Sequence, residues 1–137
     1  MAPPLKAEAQ EHLQKARWHA EFLGRIDAGT FPDWTLVVGF YVALHLVGAR
    51  LEQDGIRVTT HKARRKQIRK HPQLKDCKAA YFSLQKASEL ARYSPELRPT
   101  GHYKATTASA LLQGRLEKVR DTVSAHLGVP ITLPSIR

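Results

Sequence analysis

The stretch Thr60-His61-Lys62-Ala63-Arg64-Arg65 places one imidazole three and four residues ahead of two guanidinium groups. On a helix those spacings set the three side chains next to one another. An imidazole titrates near neutrality, so it can take a proton from a ribose 2′-hydroxyl and return one to the departing oxygen. A guanidinium can grip a phosphate through two parallel hydrogen bonds and stabilise the charge that develops in its transition state. His61, Arg64 and Arg65 are therefore the candidate catalytic residues of a metal-independent RNA cleavage.

His61 lies inside the most basic part of the chain. The protein has 22 Lys and Arg against 12 Asp and Glu, a net charge of +10 over 137 residues. Between Arg57 and Lys78 stand nine basic residues and one acid, Asp76, so +8 of that +10 is concentrated there. A solvated face usually mixes signs, and this one does not. Only Ala63 and Ile68 interrupt the polarity of residues 61–70, which must show most of their surface to water or to a partner. Arg57, Lys62, Arg64, Arg65, Lys66, Arg69 and Lys70 are the expected contacts to RNA or another nucleic acid. An acidic protein is the rival partner. The run is too polar for a bilayer and its apolar side too thin for a membrane surface, so no membrane role is expected.

Other residues carry weaker signals. His45 stands among Leu44, Leu46 and Val47, where an unpaired imidazole would cost roughly 1–3 kcal/mol. It is expected to be a hydrogen-bonded core residue, with Tyr81, Tyr93 or His61 as its partner, and secondarily a site residue. Arg92 and Tyr93 close a helix, with Arg92 suited to the negative helix end and phosphate binding as its secondary role. Trp18, Phe22 and Trp34 are expected to fill the interior. His12 and His19 are seven residues apart, about 10 Å along a helix, too far to share a metal ion, and none is expected. Cys77 is the single cysteine, which excludes an internal disulfide and makes a reducing, cytoplasmic setting the expectation. No phosphate-cradling glycine loop, paired catalytic carboxylates or Ser-His-Asp order is present, so no cofactor is expected.

The elements that must position these side chains are helical. Length and composition suit one soluble domain, 1–137, with residues 128–137 as an extended tail. Leu5, Ala9, Leu13, Ala16, Ala20 and Leu23 recur at three- and four-residue steps, predicting a first helix opened by Pro3-Pro4 and ending near Ala28-Gly29. Asp33 is the expected cap of a second helix that stops at Gly55, apolar all round and so surrounded by others. Its apolar stretch, Trp34 to Ala49, is shorter than the roughly 20 residues that span a bilayer. Thr59 or Thr60 caps a third helix over 61–70, and a fourth starts at Pro72 and closes at Ser94-Pro95. A loop to Tyr103 leads to a fifth, from about Thr106 to Leu127, stopped by Gly128. The N-terminal residues are polar and no secretory leader is expected. The fold class is all-α, a four- to five-helix bundle.

Three stretches together resemble the HEPN superfamily, small helical bundles of prokaryotic defence and toxin–antitoxin systems. They are Phe40 to Ala49, Thr60-His61-Lys62-Ala63-Arg64, and Ala91-Arg92-Tyr93-Ser94-Pro95, spanning roughly Asp33 to Pro95. The resemblance implies a dimeric bundle that either cleaves RNA without metal or serves as a non-catalytic RNA-binding or adaptor module. An adaptor of this kind would dock an acidic antitoxin-like or nucleotidyltransferase partner. Active members carry Arg and His separated by four to six residues at the head of a late helix. Here Arg57 to His61 has three intervening residues, while Arg65–His71 and Arg120–His126 have five but stand elsewhere than at a helix head.

Overall fold

In the computed structural model, residues 3–95 and 105–133 are described, the side chains of 105–108 excepted. They form five α-helices: α1 (Ala7–Leu23), α2 (Pro32–Gln53), α3 (His61–Lys70), α4 (Lys78–Tyr93) and α5 (Ala105–Leu127). A 3₁₀ turn, Pro72–Cys77, leads into α4, and no strand is present among the described residues. The loop expected at 94–103 falls mostly outside them.

α2 is the central element because its apolar residues leave it no polar side. It packs against α1, α4 and α5. From Thr35 to Glu52 it is buried except at Tyr41 and His45. At 22 residues α2 is longer than its apolar core suggested, and by length and composition alone it could cross a bilayer; 83% of its most apolar window is instead covered by the other helices. Two glycines let neighbours come close. A Cβ on Gly39 would lie 2.3 Å from a Leu112 methyl of α5, and one on Gly48 would lie 2.9 Å from the His12 ring of α1.

α1 and α2 run antiparallel. Lys6 N donates to Gln53 Oε1 at 2.9 Å, His12 meets His45, and His19 meets Tyr41. The Gln53 amide also donates to the Pro4 carbonyl, and this strap holds the N-terminal segment extended, so α1 begins at Ala7 rather than at the prolines. α1 ends at Leu23, earlier than its pattern suggested. The Asp27 carboxylate takes over there, accepting from Gly29 N and Thr30 Oγ1 at 2.9 Å and shaping the turn into α2. Pro32 opens α2 because a first-turn proline sacrifices no hydrogen bond, which moves Asp33 from the cap into the first turn. Gly55 and Gly128, with φ of +75° and +70°, stop the chain's helices where expected. Of the expected tail, Val129, Ile131 and Leu133 are half-buried against the core.

Candidate nucleic-acid interface

The third helix is set by one cap and one anchor. Thr60, extended at φ −123°, accepts a hydrogen bond from Ala63 N at 3.1 Å through its hydroxyl. Among ten residues only Arg64 and Ile68, one turn apart, are buried. Ile68 is the sole apolar side chain that pins this helix to the bundle, and it is fully covered. With that face inward, Lys62, Lys66, Arg69 and Lys70 fall on the opposite side and are exposed. Among the described residues none of them is in an ion pair; Arg69 instead lies over the Phe82 ring, 5.0 Å from its centre.

Two of the expected contacts behave differently. Arg64 is only 7% exposed because it shares the inward face with Ile68. Its Nη2 donates to the Val58 carbonyl at 3.4 Å, and Nε has no partner among the described residues. It therefore does not present a guanidinium to a surface phosphate beside Arg65. Arg57 lies ahead of α3, in the loop after α2, where its Nε pairs with Glu52 at 3.0 Å and Glu8 and Glu11 add to the acidic surroundings. It points into a different groove from the α3 stripe.

His61 and Arg65 stand on the shoulder between the buried and exposed faces, both half-buried. The His61 ring packs at 5.8 Å from Phe40, which in turn meets Tyr81 edge-on. Burial holds the His61 pKa below its ordinary value, helped by the positive charges of Arg64, Arg92 and Arg65. The fold thus brings the end of α4 to His61: Arg92, eleven residues beyond Tyr81, joins the arginines that the α3 sequence already supplied. A neutral imidazole among three guanidiniums is equipped to accept a proton near a bound phosphate. Tyr93 is 75% exposed and supports its neighbour, whose guanidinium lies 5.0 Å from the ring centre. The Tyr81 hydroxyl is pushed up to about 12 by burial, with the adjacent Arg64 working in the other direction.

His45 does not pair with Tyr81, Tyr93 or His61. Its Nδ1 is 3.0 Å from Nδ1 of His12, and its ring stacks on His19 at 5.4 Å. Sequence spacing considered His12 and His19 only as neighbours on one helix; the antiparallel register inserts His45 between them. Burial, then the charges of His12, His19, Lys15 and Arg64, lower His45 to about 4. Burial also lowers His12, with Arg64 again contributing. One buried guanidinium thus favours the neutral form of three histidines. Among the described residues no three metal-ligating side chains converge to hold an ion.

Trp18, Phe22 and Trp34 are not interior. They are 68%, 55% and 61% exposed, and Phe31 beside them is 54% exposed. The α1 pattern carried this signal: Trp18 and Ala20 are two positions apart, about 160° around the helix, so a ring at 18 faces away from the covered alanines. His71 is occupied structurally, its Nε2 bonded to Asp54 at 2.6 Å and its Nδ1 accepting from Gln73 N. Cys77 is buried and its thiol is raised to about 11, as an inert core cysteine should be.

Compared with protein-family models, curated proteins and solved structures, the chain matches none.

Proposed function

We propose that the protein is a HEPN-like nucleic-acid-binding bundle that tracks a phosphate backbone along the outer face of α3. The observation that carries this reading is the row Lys62, Lys66, Arg69 and Lys70, exposed on one face with no carboxylate paired to any of them among the described residues. Cations left without acids around them attract polyanions and release counterions when they bind. Arg65 and Arg92, whose charges act on His61, extend this surface toward that imidazole. RNA cleavage by His61, without metal, is the finer form of the proposal. Arg64 contributes to it through the field it exerts on His61, and Arg57 is left out of the contact set.

The test is binding of single-stranded RNA measured against salt. Affinity should fall steeply as salt rises, and replacing Lys62, Lys66 and Lys70 by Gln should weaken binding and flatten the dependence by about 0.7 in slope per lost contact. Binding indifferent to salt and to these changes overturns the reading. Fixed-stoichiometry capture of one acidic protein, with RNA ignored, would assign the same face to an adaptor role.

A further inference from the structure

Three aromatic side chains, Phe22, Phe31 and Trp34, stand more than half exposed where α1 turns into α2. They wall a hollow of about 530 Å³, floored by Ile26, with Arg25 and Asp27 at its mouth. Small-molecule sites occupy about 300–1,000 Å³ and are lined in this way, by apolar walls with few polar groups. We propose that this hollow binds a small organic carboxylate, an aromatic or branched apolar body carrying one anionic head.

The two polar groups at the mouth decide the head. Asp27 is engaged by the turn, its carboxylate oxygens accepting from Gly29 N and Thr30 Oγ1, both at 2.9 Å. Arg25 is exposed and is in no ion pair among the described residues. The free group is therefore a cation, and a guanidinium grips a carboxylate through two parallel hydrogen bonds. The charge that Asp27 keeps at the same mouth opposes a dianion, so a carboxylate fits better than a phosphate monoester. The net charge of +10 draws such anions toward the protein.

The walls decide the body. Phe22, Phe31, Trp34 and Ile26 present rings and methyl groups to the hollow. A nucleobase would bring a rim of donors and acceptors against them. The Trp34 indole N–H apart, these side chains offer that rim no hydrogen-bond partner, so its polar edge would go unpaired. An aromatic or branched hydrocarbon has no such edge, and its entry removes exposed ring surface from water on both sides. The site uses none of the α3 residues, so it is independent of the nucleic-acid reading.

The test compares naphthoate with its uncharged amide, naphthamide, on the full chain in about 0.15 M salt. Naphthoate should bind with a dissociation constant of about 0.1–1 mM, read by calorimetry and by the shift of the Trp34 indole N–H signal. Naphthamide should bind about tenfold more weakly, and Arg25→Gln should bring naphthoate down to the same level. Phe31 holds the cap position of α2, where serine is favoured, so Phe31→Ser removes a wall and keeps the helix. It should weaken both probes, with an unchanged far-ultraviolet spectrum. Lys62→Gln with Lys66→Gln should leave naphthoate affinity as it was. Equal binding of the two probes overturns the proposal, as does naphthoate binding that ignores Arg25→Gln or falls equally with the lysine pair. No binding at about 5 mM also overturns it, whether the hollow proves empty or closed by another protein chain. So does adenosine monophosphate that displaces naphthoate with higher affinity.

Discussion

His12 and His45 face each other across the α1–α2 seam with their Nδ1 atoms 3.0 Å apart, so one proton serves two nitrogens. Charging both rings breaks that bond and sets two cations together near Arg64. The unfolded chain has no such restriction. His45 titrates at about 4 when folded against 6.5 in its ordinary state. Above pH 6.5 both states are neutral and nothing is lost. As pH falls from 6.5 toward 4 the unfolded chain takes up a proton that the folded one refuses, and stability declines; below 4 this contribution is constant. The expected loss is about 2 kcal/mol, after a discount for the half-open position of the ring. Urea unfolding at pH 7 and pH 4.5 measures it. His45→Gln keeps a hydrogen-bonding side chain beside His12 without the titration and should shrink the difference; an unchanged difference would place the effect elsewhere.

Ile68 and Lys66 separate docking from contact within one helix. Ile68 is fully covered and is the only apolar anchor of α3. Ile68→Ala should cost about 2–4 kcal/mol and weaken RNA binding as well, because the helix loses its seat. Lys66 is exposed and unpaired among the described residues. Lys66→Gln should leave stability within about 0.5 kcal/mol of the parent while lowering RNA affinity in a salt-dependent way. Denaturant midpoints and salt titrations on both variants check the contrast. Equal effects of both on stability would mean that Lys66 has a structural role.

The contrast also shows what was legible in the chain itself. The start of α3 could be placed because Thr60 caps locally, and its end because His71-Pro72 stops a helix; both depend on neighbours in sequence. The all-helical fold followed from periodicity for the same reason. The inward turn of Arg64 was written in its one-turn spacing from Ile68, which outweighed the attraction of grouping it with Arg65. The His12–His45 pair was not legible, since its members are 33 residues apart and meet only through the antiparallel register of α1 and α2. Arg92 reaches His61 for a similar reason, through the packing of α4 beneath α3. The exposure of Trp18 and Phe22 was legible from the helical wheel of α1 and was obscured by the general rule that large apolar rings are covered.

His61→Ala tests the finer form of the function at one atom. His61 is held below its ordinary pKa by burial and by Arg64, Arg92 and Arg65, so it is neutral at pH 7 and ready to accept a proton. The variant leaves the formal charge of the α3 stripe unchanged. Cleavage should fall about 10²–10⁴-fold with little change in RNA affinity. The wild-type rate should decline as pH drops through the folded value and the ring becomes charged. Arg65→Ala and Arg92→Ala should lower rate and affinity together. A chelator should have no effect. RNA left intact by concentrated wild-type protein would remove the catalytic role and leave binding alone.

Gly39 and Gly114 predict opposite outcomes from the same substitution. Gly39 lies where α2 meets α5, and an added Cβ would stand 2.3 Å from one Leu112 methyl and 2.7 Å from the other. Leu112 is itself fully buried, so it has no open side into which to withdraw. Gly39→Ala should therefore force the two helices apart at a cost of about 1–3 kcal/mol, although alanine is the better helix former. Gly114 is on the exposed side of α5, and an added Cβ meets nothing within 4 Å. Gly114→Ala should stabilise by about 0.5–1 kcal/mol, because the unfolded chain loses freedom and no contact is strained. Thermal or urea unfolding of the two variants reads both signs. The α2–α5 approach is set by the position of Leu112 in the core, so a neutral Gly39→Ala would mean that Leu112 can give way without loss of packing.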